Sequence, residues 1–145
     1  MCLINVRDVN KENADRPLYW KVMMEHHSKK DVLVPLYSSQ YMKIGEPYNA
    51  MYFDVPLNHI GRIHYHSCRG CGFHAFVCKQ DAQRFFKFSE TAYRDSTWLS
   101  LHLVGVELGE ITLEGDYVLG PEEPWGVCVV ARLQTIREVC DADGL

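Results

Sequence analysis

One stretch of this chain, Lys79 to Tyr93, carries the period of an α-helix, whereas the other apolar runs have the length and spacing of strands. Ala82, Phe85, Phe86 and Ala92 fall at i, i+3, i+4 and i+10, on one face of a 3.6-residue repeat. Asp81 near the start suits the positive end of the helix dipole, and Asp95-Ser96-Thr97 ends the run. A single amphipathic helix must bury its stripe on something else. In a chain rich in strands, that partner is a sheet.

The strands follow from the remaining runs. Met1 to Val9 alternates weakly and reads as an edge strand. Residues 10–16 are polar, run into Pro17 and read as a loop. Leu18 to Met24 is aromatic and apolar, as strands are. A polar turn from His26 to Asp31 joins it to Val32–Tyr37, and the two read as a hairpin, with Pro35 at an edge or a bulge. Residues 38–64 read as irregular, with short strands and a turn at Ile44-Gly45-Glu46-Pro47. Cys71 to Cys78 is a strand that delivers the chain into the helix. Trp98 to Leu108 is apolar on both alternations and therefore central. Gly109 to Leu119 alternates and reads as a separate strand with one solvent face, and Gly120 to Pro124 is a loop. Val127 to Ile136 is the strongest strand, with a β-branched run bounded by turn signals. The expected fold class is α+β, a mostly antiparallel sheet with one main helix packed on it. It forms one domain, 1–145, with a short acidic C-terminal tail from about residue 140 that frays.

The charge is uneven. Residues 107–145 hold nine acids and two bases, whereas residues 1–106 hold ten acids and thirteen bases. Nucleic-acid binding through the acidic C-terminal part is therefore not expected. The apolar runs fall far short of the roughly 20 residues of a membrane span, and no basic segment precedes an apolar one at the N-terminus. A soluble, cytoplasmic protein is expected, with Cys2, Cys68, Cys71, Cys78, Cys128 and Cys140 as free thiols.

The densest chemistry lies between Tyr65 and Cys78. Cys68 and Cys71 have chelating spacing, and His66 and His74 flank them, a donor set suited to tetrahedral zinc. Strand alternation works against it: Cys71 and Phe73 fall on one face, Gly72, His74, Phe76 and Cys78 on the other. A redox pair is disfavoured as well, because a glycine and a strand follow Cys71 where a thiolate-stabilising helix N-terminus is needed. No phosphate loop or nucleophilic triad is selected by spacing. The expectation is no cofactor, with zinc as the alternative. The N-terminal half is rich in aromatic residues, among them Tyr19, Tyr37 and Tyr48, which can line a pocket for a base or pack a hairpin.

These residues resemble a set of small phage and prophage proteins. The matching pieces are Met1-Cys2-Leu3, Tyr19 to Val22, Pro35-Leu36-Tyr37, Gly45 to Tyr48, Gly72-Phe73-His74-Ala75, Asp81-Ala82, Val104 to Gly109 and Val127 to Ile136. The resemblance implies phage association and an unassigned function; small size, acidity and the absence of a catalytic constellation point to an accessory protein working in the host cytoplasm as a non-enzymatic binder of a host factor. That factor would be a defence protein or its small nucleotide signal, with His74, Phe73, Tyr19, Tyr37 and Tyr48 as binding residues. The strand order also looks like the small ADP-ribosyltransferase fold. That alternative implies an NAD-using enzyme with Glu107 or Glu110 as its glutamate, although no Ser-Thr-Ser strand is present.

Overall fold

The structure is a computed structural model that describes residues 2–26, 31–35, 40–50, 64–66, 72–93, 99–118 and 124–140. In chain order these form β1 (Cys2–Asp8), α1 (Lys11–Ala14), β2 (Tyr19–His26), β3 (Val32–Pro35), β4 (Met42–Lys43) and β5 (Pro47–Asn49). There follow β6 (His64–His66), β7 (Phe73–Phe76), α2 (Lys79–Tyr93), β8 (Leu99–Val118) and β9 (Gly126–Cys140). The expected acidic tail, apart from its start at Cys140, lies outside the described residues.

The frame is the β8–β9 hairpin, paired from Leu103↔Cys140 to Tyr117↔Gly126. The outer edge of β8 is shared. Its first part pairs with β2, from His26↔Leu99 to Tyr19↔Val106, and its last part pairs with β1, as in Cys2↔Val118. The outer edge of β9 is shared too, by β7 at Cys128 to Ala131 and by β5 at Leu133 to Thr135. Trp20 of β2 pairs with Gly105 on one side and Phe76 of β7 on the other. The pairings β2–β8, β8–β9, β9–β7 and β7–β2 therefore run in a closed circuit.

A second bridge spans the same gap between β2 and β9. Strand β3 pairs with β2, β4 pairs with β3, the Gly45 N–H donates to the Ile136 carbonyl at 2.9 Å, and β5 pairs with β9. Gly45 sits at φ +88°, a left-handed conformation that glycine adopts without a Cβ penalty. Closure of this kind needs strongly bent strands. Strand β8 has register shifts at Gly105/Val106 and at Ile111/Leu113, with Glu110 at φ +54° between them. At Gly105 side chains from both neighbouring strands crowd in: an added Cβ would stand 2.8 Å from Glu138 Cγ and 3.0 Å from Trp20 Cζ3.

Two apolar clusters occupy the two sides of the curved sheet. Outside, α2 lays Ala82, Phe85 and Phe86 on Leu3, Val22, Phe76, Leu103, Tyr117 and Val130. Phe85 meets Tyr117 edge-on at 5.2 Å between ring centroids and Trp125 at 5.7 Å. Burial of such a ring contributes roughly 1.5–3 kcal/mol. Inside, Tyr19, Met23, Leu33, Met42, Phe73, Ala75, Val104, Val106, Val129 and Ile136 pack together, with Tyr48 half-buried against them.

The structure corrects the α+β class. Among the described residues, nine strands stand against α2 and the single turn of α1. One 15-residue helix covers part of one face and does not form a layer of its own, so the fold is sheet-dominated. Two local readings account for the difference. Residues 98–108 and 109–119 were expected as separate strands, but Leu99–Val118 is one strand of 20 residues whose bulges take up the bend at the glycines. Val127–Ile136 lengthens into Gly126–Cys140. Strand β1 is also not an edge, because β6 continues the sheet beyond it at Cys2 to Ile4. The polar segment expected as a loop contains α1. All pairings among the described residues are antiparallel.

Candidate functional site

From Tyr19 to Met24, strand β2 is apolar on both alternations except at Lys21. Tyr19 and Met23, on the same face as Lys21, belong to the inner cluster, so alternation sends the Lys21 side chain into the closed sheet. Lys21 is only 8% exposed. Its ammonium donates to Gln134 Oε1 at 3.0 Å and lies 5.7 Å from the centroid of the Phe73 ring. Burial pulls its pKa from 10.5 down to about 8, partly offset by Cys128. At neutral pH most of the population still carries the charge. Among the described residues no carboxylate pairs with it.

Gln134 arrives from β9, fully buried. Its carbonyl faces Lys21, and its amide nitrogen donates to the Met42 sulfur at 3.2 Å. A thioether is a weak acceptor. Met42 is placed there, fully buried, by β4, which pairs with β3 at Leu33. The centre of the closed sheet therefore holds a cation and an amide donor, both poorly satisfied, inside an apolar and aromatic wall.

The residues singled out in the sequence fall into separate places. Tyr19, Phe73 and Tyr48 share the inner cluster. Tyr19 is fully buried; its hydroxyl donates to the Asn13 carbonyl at 2.6 Å and ties α1 to β2. The Tyr48 hydroxyl accepts from the Lys43 N–H at 2.8 Å and donates to Glu46 at 3.1 Å, which fastens the β4–β5 turn. His74 is 8% exposed and is next to Phe73 in β7, so alternation turns it to the helix side. Burial, with the Lys21 charge second, lowers its pKa to about 3, so the ring is neutral at physiological pH. Tyr37 lies outside the described residues.

The zinc donors fall only partly within the described residues. Cys68 and Cys71 lie outside the described residues. The strands of His66 and His74 are separated in the sheet order by β9, β8 and β1. Among the described residues no group of three His, Cys, Asp or Glu side chains could hold a metal ion.

Glu107 and Glu110 sit on the surface of the β8–β9 hairpin. Glu107 accepts from Arg137 Nε at 3.1 Å, and Glu110 lies 3.8 Å from Arg132; both carboxylates are 57% exposed. The buried carboxylate is instead Glu114, which accepts from the Asn10 N–H at 2.6 Å, the Asn13 amide at 3.1 Å and Arg7 Nε at 3.0 Å. Burial alone would raise its pKa, but these donors and the Arg7 charge outweigh burial and lower it. Its position between β1, α1 and β8 makes it a structural clamp.

Sequence reasoning missed Lys21 and Gln134. Lys21 carried a signal, a lone polar residue within the apolar run from Leu18 to Met24, whereas Gln134 carried none, standing among Arg132, Thr135 and Arg137 in β9. The chain matches no family model, no curated protein and no solved structure.

Proposed function

We propose that the protein is a non-enzymatic binding protein, a phage accessory protein of the kind its sequence resembles, and that it holds a small nucleotide signal of the host. The observation that carries this reading is the gathering of Tyr19, Tyr48 and Phe73 with the buried Lys21 inside a closed antiparallel sheet. Small closed sheets of this kind either fill their interior with side chains or hold one small ligand. A buried charge with no carboxylate partner among the described residues favours the second use, since an unpaired buried ion costs several kcal/mol.

The enzyme alternative would need Glu107 or Glu110 beside a bound NAD. Both are exposed and engaged by arginines on the outer hairpin, which supports the binding reading. Zinc, at His66, Cys68, Cys71 and His74, is the remaining alternative. Stoichiometric zinc in protein prepared without chelator would establish it.

The test is to express the tagged protein in a defence-carrying host, recover it, denature it and identify the released small molecules by mass spectrometry. A nucleotide released at near-stoichiometric amounts from the wild type, and lost in Tyr48→Ala, supports the reading. NAD consumption that disappears in Glu107→Gln or Glu110→Gln would replace it with the enzyme.

A further inference from the structure

The donors inside the sheet define which part of a ligand is read there. The Lys21 ammonium has three N–H bonds, of which one is used, among the described residues, on Gln134 Oε1. Gln134 directs its amide N–H at the Met42 sulfur, an acceptor that any anionic oxygen outcompetes. The two donors belong to side chains that the 3.0 Å hydrogen bond from Lys21 Nζ to Gln134 Oε1 holds together. The Phe73 ring, 5.7 Å from the ammonium, holds the charge in place without supplying an acceptor.

We propose that Lys21 and Gln134 form an oxyanion site: a phosphate or carboxylate oxygen of the ligand accepts from Lys21 Nζ and from Gln134 Nε2, displacing the Met42 sulfur. This rests on the reading of the closed sheet as a ligand chamber and names the group that the chamber recognises. It also explains why the positive charge is retained in an apolar interior. The ligand supplies the anionic partner that Lys21 lacks among the described residues. Charge-assisted hydrogen bonds are the strong class, and their loss inside an apolar wall is poorly compensated by water.

Isothermal titration of the full chain tests it, with AMP, succinate and adenosine as probes. The two oxyanion probes separate a phosphate ester from a carboxylate as the source, and adenosine lacks the charge. Wild-type protein is expected to bind one oxyanion probe and to bind adenosine far more weakly. Lys21→Met is expected to weaken the oxyanion at least roughly tenfold, the lower end of what a charge-assisted hydrogen bond contributes. Gln134→Glu is the second variant. It supplies an internal carboxylate to Lys21, keeps the fold, and is expected to abolish oxyanion binding. Oxyanion binding that survives in Gln134→Glu overturns the site, as does the absence of binding by both oxyanion probes. Adenosine binding as tight as AMP, with host nucleotide still recovered from cells, overturns the oxyanion site while the chamber reading stands.

Discussion

Replacing the inner polar pair with apolar side chains, Lys21→Met together with Gln134→Leu, makes a quantitative prediction. In the folded state Lys21 titrates near 8 and in the unfolded chain near 10.5. Each pKa unit corresponds to 1.36 kcal/mol, so burying the charged form costs about 3 kcal/mol relative to the neutral amine. Below pH 8 both states hold the proton, and the wild type bears that cost in full. Between pH 8 and 10.5 the unfolded chain binds more protons than the native one, so wild-type stability rises with pH relative to the variant. Removing Lys21 alone would leave the Gln134 carbonyl buried without its donor, a loss of about 1–3 kcal/mol that masks the gain. The double substitution avoids this. The assay is urea unfolding of both proteins at intervals from pH 6 to 10.5. The difference in stability should be constant near neutral pH, with the variant ahead by about 3 kcal/mol, and should shrink toward zero by pH 10.5. Other titrating groups cancel in the difference. Parallel profiles, or a variant less stable at pH 7, would refute the picture of an uncompensated charge inside the sheet.

Three further outcomes follow from particular contacts. Glu114→Ala removes the acceptor of Asn10, Asn13 and Arg7 and should cost about 2–4 kcal/mol in urea unfolding at pH 7. Because the folded-state pKa of Glu114 is lowered, its contribution is present above pH 4.5 and is lost as pH falls through the folded value, so the variant should also show a flatter acid limb. His74 is held neutral in the fold with a pKa near 3 against 6.5 unfolded, so wild-type stability should fall as pH drops from 6.5 toward 3, and His74→Leu should flatten that fall. Gly105→Ala drives a Cβ into Glu138 and Trp20 at the bend of β8 and should cost about 1–3 kcal/mol, read as a lowered melting temperature.

The parts of this fold that depend on local spacing were open to the sequence. The helix Lys79–Tyr93 repeats its apolar residues within a few turns, and the helix lies where that spacing puts it. The pairing of β2 with β3 follows from a short polar connection. The closure was not legible. It depends on Trp20 touching strands from residues 76 and 105, and on a bulged β8 that the glycines at 105 and 109 disguise as two strands. The site was hidden for the same reason. A lone lysine in an apolar strand reads as a solvent-facing residue until the sheet closes over it, and Gln134 becomes meaningful only beside Lys21. The aromatic residues singled out in the sequence come together only in part. Tyr19, Tyr48 and Phe73 do share one cluster, while His74, their neighbour in sequence, faces the opposite side.

The most direct measurement of the central claim is the pH titration of the Lys21 side-chain nitrogen by NMR, with and without AMP. The account predicts a pKa near 8 in the free protein, rising when the nucleotide binds because the phosphate favours the charged ammonium. A Lys21 resonance that titrates at the ordinary 10.5, unchanged by AMP, would contradict it.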